Sequence, residues 1–157
     1  MSHALARQEL ARIIDHTLLR PDATAREIEA LCMEARAHDF FSVCVNGSRV
    51  PQAAHLLEDS NVKIMCAIGH PLGAVDADVK RYETEVAIDS GAQIIEVTAN
   101  LGWLKDGDDA AVLRELRDVV EAADERPVSV SLETTLLTPE EIDRVCRIAK
   151  EIGRAHV

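Results

Sequence analysis

A chain of 157 residues, 47% apolar and 29% charged, carries enough apolar material to bury a core and too much to stay disordered. Its formal charge of −11, from 17 basic and 28 acidic side chains, repels phosphate backbones at long range and argues against sequence-independent binding to nucleic acid. No apolar run approaches the ~18 residues of a membrane span, and the N-terminal stretch lacks the apolar core of a secretory signal, so no membrane partner is expected and the cytoplasm is the expected compartment.

In chain order, residues 4–12 read as helical, and Ile13 and Ile14 open a short strand running toward Asp15. Pro21-Asp22 marks a turn. Thr24 then offers an N-cap with Glu27 three residues on, and Ile28, Leu31, Cys32 and Ala35 recur behind it at helical spacing. Residues 41–45 form a compact β-branched and aromatic run, a second strand, followed by a short helix over 50–57. A third strand spans 62–68 and ends at Gly69, with Pro71 and Gly73 shaping the loop. A helix over 75–90 is closed by Gly91. A fourth strand covers 94–97, a loop 101–107, a helix 110–123 and a fifth strand 128–132. Thr138-Pro139-Glu140-Glu141 starts a helix running to 153, with proline in its first turn, and 155–157 begins a sixth strand.

Strand and helix alternate without a hairpin dipeptide, and several strands are apolar on both faces, which requires a parallel sheet with helical cover. The chain contains neither GxGxxG after its first strand nor a P-loop, which weakens a nucleotide-binding open sheet. Periodicity alone leaves an open doubly wound sheet and a closed barrel both standing. A (β/α) barrel of the TIM type takes eight units in about 250 residues. Here five units and the start of a sixth are counted over 1–157, read as one barrel-type domain that is incomplete. The cysteines, Cys32, Cys44, Cys66 and Cys146, form no CxxC pair and read as buried free thiols.

Ligands of such folds collect at the C-terminal ends of the strands. Asp15, His16 and Thr17 are expected there after the first strand, Cys44, Asn46 and Ser48 after the second, and His70 after the third. Glu96, Thr98, Asn100 and Lys105 follow from the fourth, and Glu133, Thr134 and Thr135 from the fifth. Carboxylates sharing one cavity can divide proton donor and acceptor roles, which makes Asp15, Glu96 and Glu133 candidates; helix capping is the competing role for each. His16 and His70 titrate in the right range for acid–base work but serve equally as backbone hydrogen-bonding groups. A metal site from His16, Glu96 and His70 has no HxH or HExxH spacing to support it. Imine chemistry needs a lysine of lowered pKa. Lys63 is read at the N-terminal end of the third strand on the wrong face, Lys80 and Lys150 as solvated helix residues, and Lys105 as a surface charge in a polar loop.

The run Ile14-Asp15-His16-Thr17-Leu18-Leu19-Arg20-Pro21 resembles the opening motif of deoxyribose-phosphate aldolases. Ser42-Val43-Cys44-Val45-Asn46 is similar to that family's second strand, and Gly69-His70-Pro71-Leu72-Gly73 to its loop after strand three. Glu83 through Gly91-Ala92, then Gly102-Trp103-Leu104-Lys105-Asp106-Gly107, then Leu132-Glu133-Thr134 with Leu136-Leu137-Thr138 continue the match in order.

The resemblance implies a (β/α)₈ barrel and a class I aldolase. Such an enzyme cleaves 2-deoxy-D-ribose 5-phosphate to glyceraldehyde 3-phosphate and acetaldehyde through a lysine Schiff base, without metal or cofactor. It implies proton relay by Glu96, orientation of Glu96 or a water by Asp15, and a pocket lined by Cys44, Asn46, His70, Thr98 and Glu133. The implied partners are a small phosphorylated sugar and, since an incomplete sheet suits no lone monomer, further copies of the chain in a homo-oligomer. Four positions depart from the family's pattern. Glu96 stands where it has aspartate, Ser129 where it has lysine, Gly47 where it has proline and His70 where it has an aromatic residue. The family's Schiff-base lysine falls on strand six, past the residues present here. The competing reading is a non-catalytic or repurposed relative that binds a small ligand or a partner chain.

Overall fold

The structure, a computed structural model, describes residues 7–152 and 155–156. The first helix is α1 (Arg7–Ala11); positions 4–6 of the predicted helix lie outside the described residues. Then follow β1 (Asp15–Leu18), α2 (Ala25–His38), β2 (Ser42–Asn46), α3 (Val50–Leu56), β3 (Lys63–Ile68) and α4 (Ala77–Asp89). The second half contains β4 (Ile94–Thr98), α5 (Leu101–Asp106), α6 (Asp109–Ala122), β5 (Val128–Ser131), α7 (Pro139–Ile152) and β6 (Ala155–His156). The six strands form one sheet in the order β1-β2-β3-β4-β5-β6, and every adjacent pair is parallel.

The two faces of this sheet differ, and that difference decides between the architectures left open above. Side chains alternate along a strand. Val43, Val45, Ile64, Cys66, Ile68, Ile95, Val97, Val128 and Val130 point to one face. There they join a single core with Ile28, Leu31 and Ala35 of α2, Val112, Leu116 and Val119 of α6, and Val145 and Ile148 of α7. The opposite face holds a separate small cluster of Cys44, Met65, Ala67 and Ile94 with Leu19 against it, and no helical residue belongs to it. Helices on one face only, with strands in sequential order, is barrel winding; a doubly wound sheet has helices on both. The fold is a (β/α) barrel wall, and among the described residues β1 and β6 each have one neighbour, so the barrel is not closed by these strands.

Local signals explain the helix boundaries. Thr24 and Glu27 form the anticipated capping box at α2. At α7, the Glu141 carboxylate accepts from the Thr138 backbone N–H at 2.8 Å, while the Glu141 N–H donates to the Thr138 hydroxyl. Asp76 caps α4, whose first turn therefore begins at Ala77 and not at 75. Residues 101–107, expected as a loop, hold the helix α5 over Leu101–Asp106. The Asn100 side chain accepts from the Trp103 N–H at its start and Gly107, in the left-handed conformation at φ 78°, stops it. Gly73, at φ 65°, lets the loop after β3 lie against β4: a Cβ there would come within 2.3 Å of the Ala99 carbonyl oxygen.

Candidate active site

The concave, helix-free face is set by register. Asp15 pairs with Ser42, and Ser42 with Lys63. Thr17, Cys44, Met65 and Ile94 form the next row, and Asn46, Ala67, Glu96 and Ser129 the one after. Thr98 and Ser131 complete the C-terminal end. Glu96 is half-buried, in register with the small residues Ala67 and Ser129 on either side.

Two of the anticipated residues meet, and a third lies on the same face. The Cys44 thiol donates to Glu96 Oε2 at 3.7 Å, although Cys44 lies two residues behind Asn46, the residue in register with Glu96. Strand tilt, which a barrel requires, brings such staggered positions to one level. Asp15 accepts a short hydrogen bond of 2.5 Å from the Ser42 hydroxyl on the same face. Burial, then the charge of Glu96 and, to a lesser extent, that of Asp15 hold the Cys44 thiol far above its ordinary range. A thiol so placed is a packing group and a weak hydrogen-bond donor, not a nucleophile. Asp15 opens β1 instead of following it, so it sits deeper in the barrel than a strand-end residue.

The other anticipated residues take different places. Asn46 shares the face of Glu96, and its side-chain amide donates to the Leu19 carbonyl at 3.2 Å, fixing the loop after β1. Thr98 is buried near the C-terminal end of the same face. Glu133 is exposed beyond β5 and accepts from the Thr135 hydroxyl. His70 is exposed and lines an outward groove with Leu72, Val75, Val79 and Tyr82, on the α4 side of the sheet. His16 points to the helix-covered face, where it bonds Glu34 of α2 at 2.9 Å and meets the Phe40 ring edge-on. A strand puts His16 and Asp15 on opposite faces by alternation alone, so His16, Glu96 and His70 do not converge. Among the described residues no three His, Cys, Asp or Glu side chains are grouped to hold a metal.

Two lysine expectations are corrected. Lys63 is at the N-terminal end of β3 as expected, but its register with Ser42 puts it on the same face as Glu96, not the opposite one. It stands four residues below Ala67, about 13 Å along the strand, too far to share a reacting carbon with Glu96. Lys80, expected to be solvated, has a side chain that is 0% exposed. It sits on the helix side of the sheet, where Ala77, Thr84 and Ala87 share its stripe of α4. Its ammonium donates to Glu115 Oε1 at 2.6 Å, to the Gly73 carbonyl at 2.7 Å and to the Thr98 carbonyl at 2.8 Å. Lys105 is on α5, 45% exposed and paired with Glu141 at 3.2 Å.

No family model matches the chain. A deoxyribose-phosphate aldolase from Bdellovibrio bacteriovorus is 48% identical over 145 residues, 92% of this chain and 66% of that protein. One from Clostridium botulinum strain Loch Maree is 46% identical over 149 residues, 95% of this chain and 70% of that protein. The chain belongs to the deoxyribose-phosphate aldolase family. Among solved structures, the tetrameric deoxyribose phosphate aldolase from Aeropyrum pernix superposes with a TM-score of 0.89 at 28% identity, over 97% of this chain and 64% of that one. The chain thus spans about two thirds of the length of the family members it matches. Family membership fits the winding seen in the sheet, since the described strands form the first part of an aldolase-type barrel.

Proposed function

We propose that this chain forms the substrate-facing wall of a class I aldolase. The reaction is reversible cleavage of 2-deoxy-D-ribose 5-phosphate to D-glyceraldehyde 3-phosphate and acetaldehyde through a lysine Schiff base. The observation that carries the reading is the contact of Cys44 with Glu96 on the concave face of the sheet, the face that also carries Asp15. Once an amine has condensed with the substrate aldehyde, the iminium draws in the electrons of the bond between its α and β carbons, which breaks to leave an enamine. Cleavage then needs a base for the hydroxyl proton on the carbon that leaves, and later an acid for the enamine carbon. In this reading Glu96 serves both transfers. Asp15, anchored by Ser42, orients Glu96 or the water that hydrates and frees the imine. Cys44 packs beside the carbinolamine. Asn46, Thr98, His70 and Glu133 shape the surroundings, His70 and Glu133 from its rim.

The amine is not among these groups. No lysine in the described residues lies on the concave face at the level of Glu96, and β6 as far as His156 runs beside only Val128 and Ser129. The imine-forming lysine in this reading belongs on the continuation of β6, with phosphate recognition by later loops. The reading calls for no metal or cofactor. The whole protein works as a homo-oligomer in this account, and the exposed apolar stripe of Val79, Tyr82 and Val86 along α4, with Val75 just before it, is a surface suited to another copy.

Borohydride reduction of the full-length protein in the presence of acetaldehyde, followed by intact mass and peptide mapping, tests the assignment. One reductive ethylation per chain is expected, on a lysine other than Lys63, Lys80, Lys105 or Lys150. An unmodified protein would favour the non-catalytic relative, and an adduct at Lys105 would place the chemistry on α5.

A further inference from the structure

The buried pair behind the sheet has no place in the chemistry above, yet it is bonded to the strand that carries Glu96. An ammonium has three protons to donate. Those of Lys80 are all taken, by the carbonyls of Gly73 and Thr98 and by Glu115. The second oxygen of Glu115 accepts from the Asn100 N–H at 3.2 Å. One charged pair therefore holds the loop after β3, the last residue of β4 and the N-cap residue of α5. Lys80 also packs under Gly69, where an added Cβ would come within 2.9 Å of its Cε. Hydrophobic residues would fill this space at lower desolvation cost, since buried ion pairs stabilise folds weakly at best. They would not fix three backbone groups at once.

We propose that Lys80 and Glu115 are positioning residues that hold the C-terminal end of β4, and with it Glu96, at the level of Cys44. The claim rests on the retro-aldol reading for its purpose but not for its geometry. Glu96 is two residues before Thr98, whose carbonyl is held, and Cys44 senses the Glu96 carboxylate directly. A shift of about 1 Å in a preorganised group can cost about 10²-fold in rate. Loss of the clamp should therefore be read in two places: at the reacting centre, and at the thiol.

The test compares the full-length protein with the double variant Lys80→Met/Glu115→Leu, which removes both charges and keeps the volume. Site-resolved alkylation by iodoacetamide is followed at Cys44, with Cys32 on α2 as the internal control for global opening. Thermal unfolding and retro-aldol kinetics are measured alongside. The expected result is an unfolding temperature and Cys32 rate close to the parent's, with alkylation of Cys44 faster by at least about tenfold as Glu96 departs. In the same variant kcat falls by about 30-fold or more while KM stays within about threefold. Glu115→Gln keeps the shape of the side chain while removing its charge, and carries the same expectation where the double variant does not fold. A folded variant with parental Cys44 reactivity and parental kcat would overturn the proposal and leave the pair a role in the fold alone. If the parent itself shows no retro-aldol turnover, the functional reading fails, and the Cys44 rates then decide the clamp without it.

Discussion

The two faces of one sheet use the same backbone for opposite purposes. On the helix-covered face, side chains such as Val45, Ile68, Ile95 and Val97 are 0% exposed and locked among helical neighbours. Even the charged groups there, Lys80 and Glu115, have every hydrogen-bonding partner supplied by the chain. The concave face mixes a small apolar patch, Met65, Ala67 and Ile94, with polar groups, and among the described residues Glu96 has a single weak donor, Cys44. Packing energy resides on the first face and uncommitted chemical capacity on the second. A mutation should accordingly be felt as stability on one side and as turnover on the other.

The largest stability loss is expected from Lys80→Met alone. It leaves Glu115 buried without its cation, at a cost of about 3–5 kcal/mol in urea unfolding. This loss depends on pH with a definite sign. Burial already raises the Glu115 carboxyl above 4.5, and Lys80 is the strongest opposing influence. A carboxyl raised in the folded state favours folding below its unfolded value, and that contribution is lost as pH rises through the folded value. The deficit of Lys80→Met should therefore be smallest in acid and grow as pH climbs from 4.5 through the raised value. A pH-independent deficit would show that Glu115 stays solvated.

Next comes Ile95→Ala, which opens a void in the helix-covered core and should cost about 2–5 kcal/mol by the same measurement. Its counterpart one residue on, Glu96→Gln, should change stability by less than about 1 kcal/mol while lowering retro-aldol turnover by about 10²-fold or more. Equal stability effects at 95 and 96 would erase the distinction between the faces. The smallest effect concerns neither face but the helix ends. Glu27 is held below the usual carboxylate value by the Thr24 backbone N–H and hydroxyl and by Arg20, and Glu141 by the Thr138 backbone N–H and by Lys105. Their contributions are present above 4.5 and lost as pH falls through the lowered values. Amide exchange at Thr24 and Thr138 should accelerate in that acid window while the Ile95 amide stays protected.

Much of this division is legible in the amino-acid order. Alternation within Ser42-Val43-Cys44-Val45-Asn46 separates the faces, and Thr24 and Thr138 announce their helices through Glu27 and Glu141. The same alternation places His16 opposite Asp15 and Lys63 alongside Ser42, so those two misplacements lay in parity, not in missing information. The helix α5 escaped because six residues with one buried side chain, Leu104, give no period to detect; only its terminal Asn100 and Gly107 mark it. The Lys80–Glu115 pair is harder, because each charge interrupts a buried stripe on its own helix. Lys80 falls between Ala77 and Thr84, and Glu115 between Val112 and Val119. The spacing shows that both face inward, but only the meeting of α4 with α6 shows that they face each other.

Gly73 sets a limit on redesign. The loop after β3 carries Leu72, 77% exposed in the groove beside α4, a position free to vary. The neighbouring position is not, because any side chain at 73 would be driven into the Ala99 carbonyl, and the Gly73 carbonyl is itself bound by Lys80. Libraries across this loop should therefore keep its backbone as a fixed rail and vary only what hangs from it.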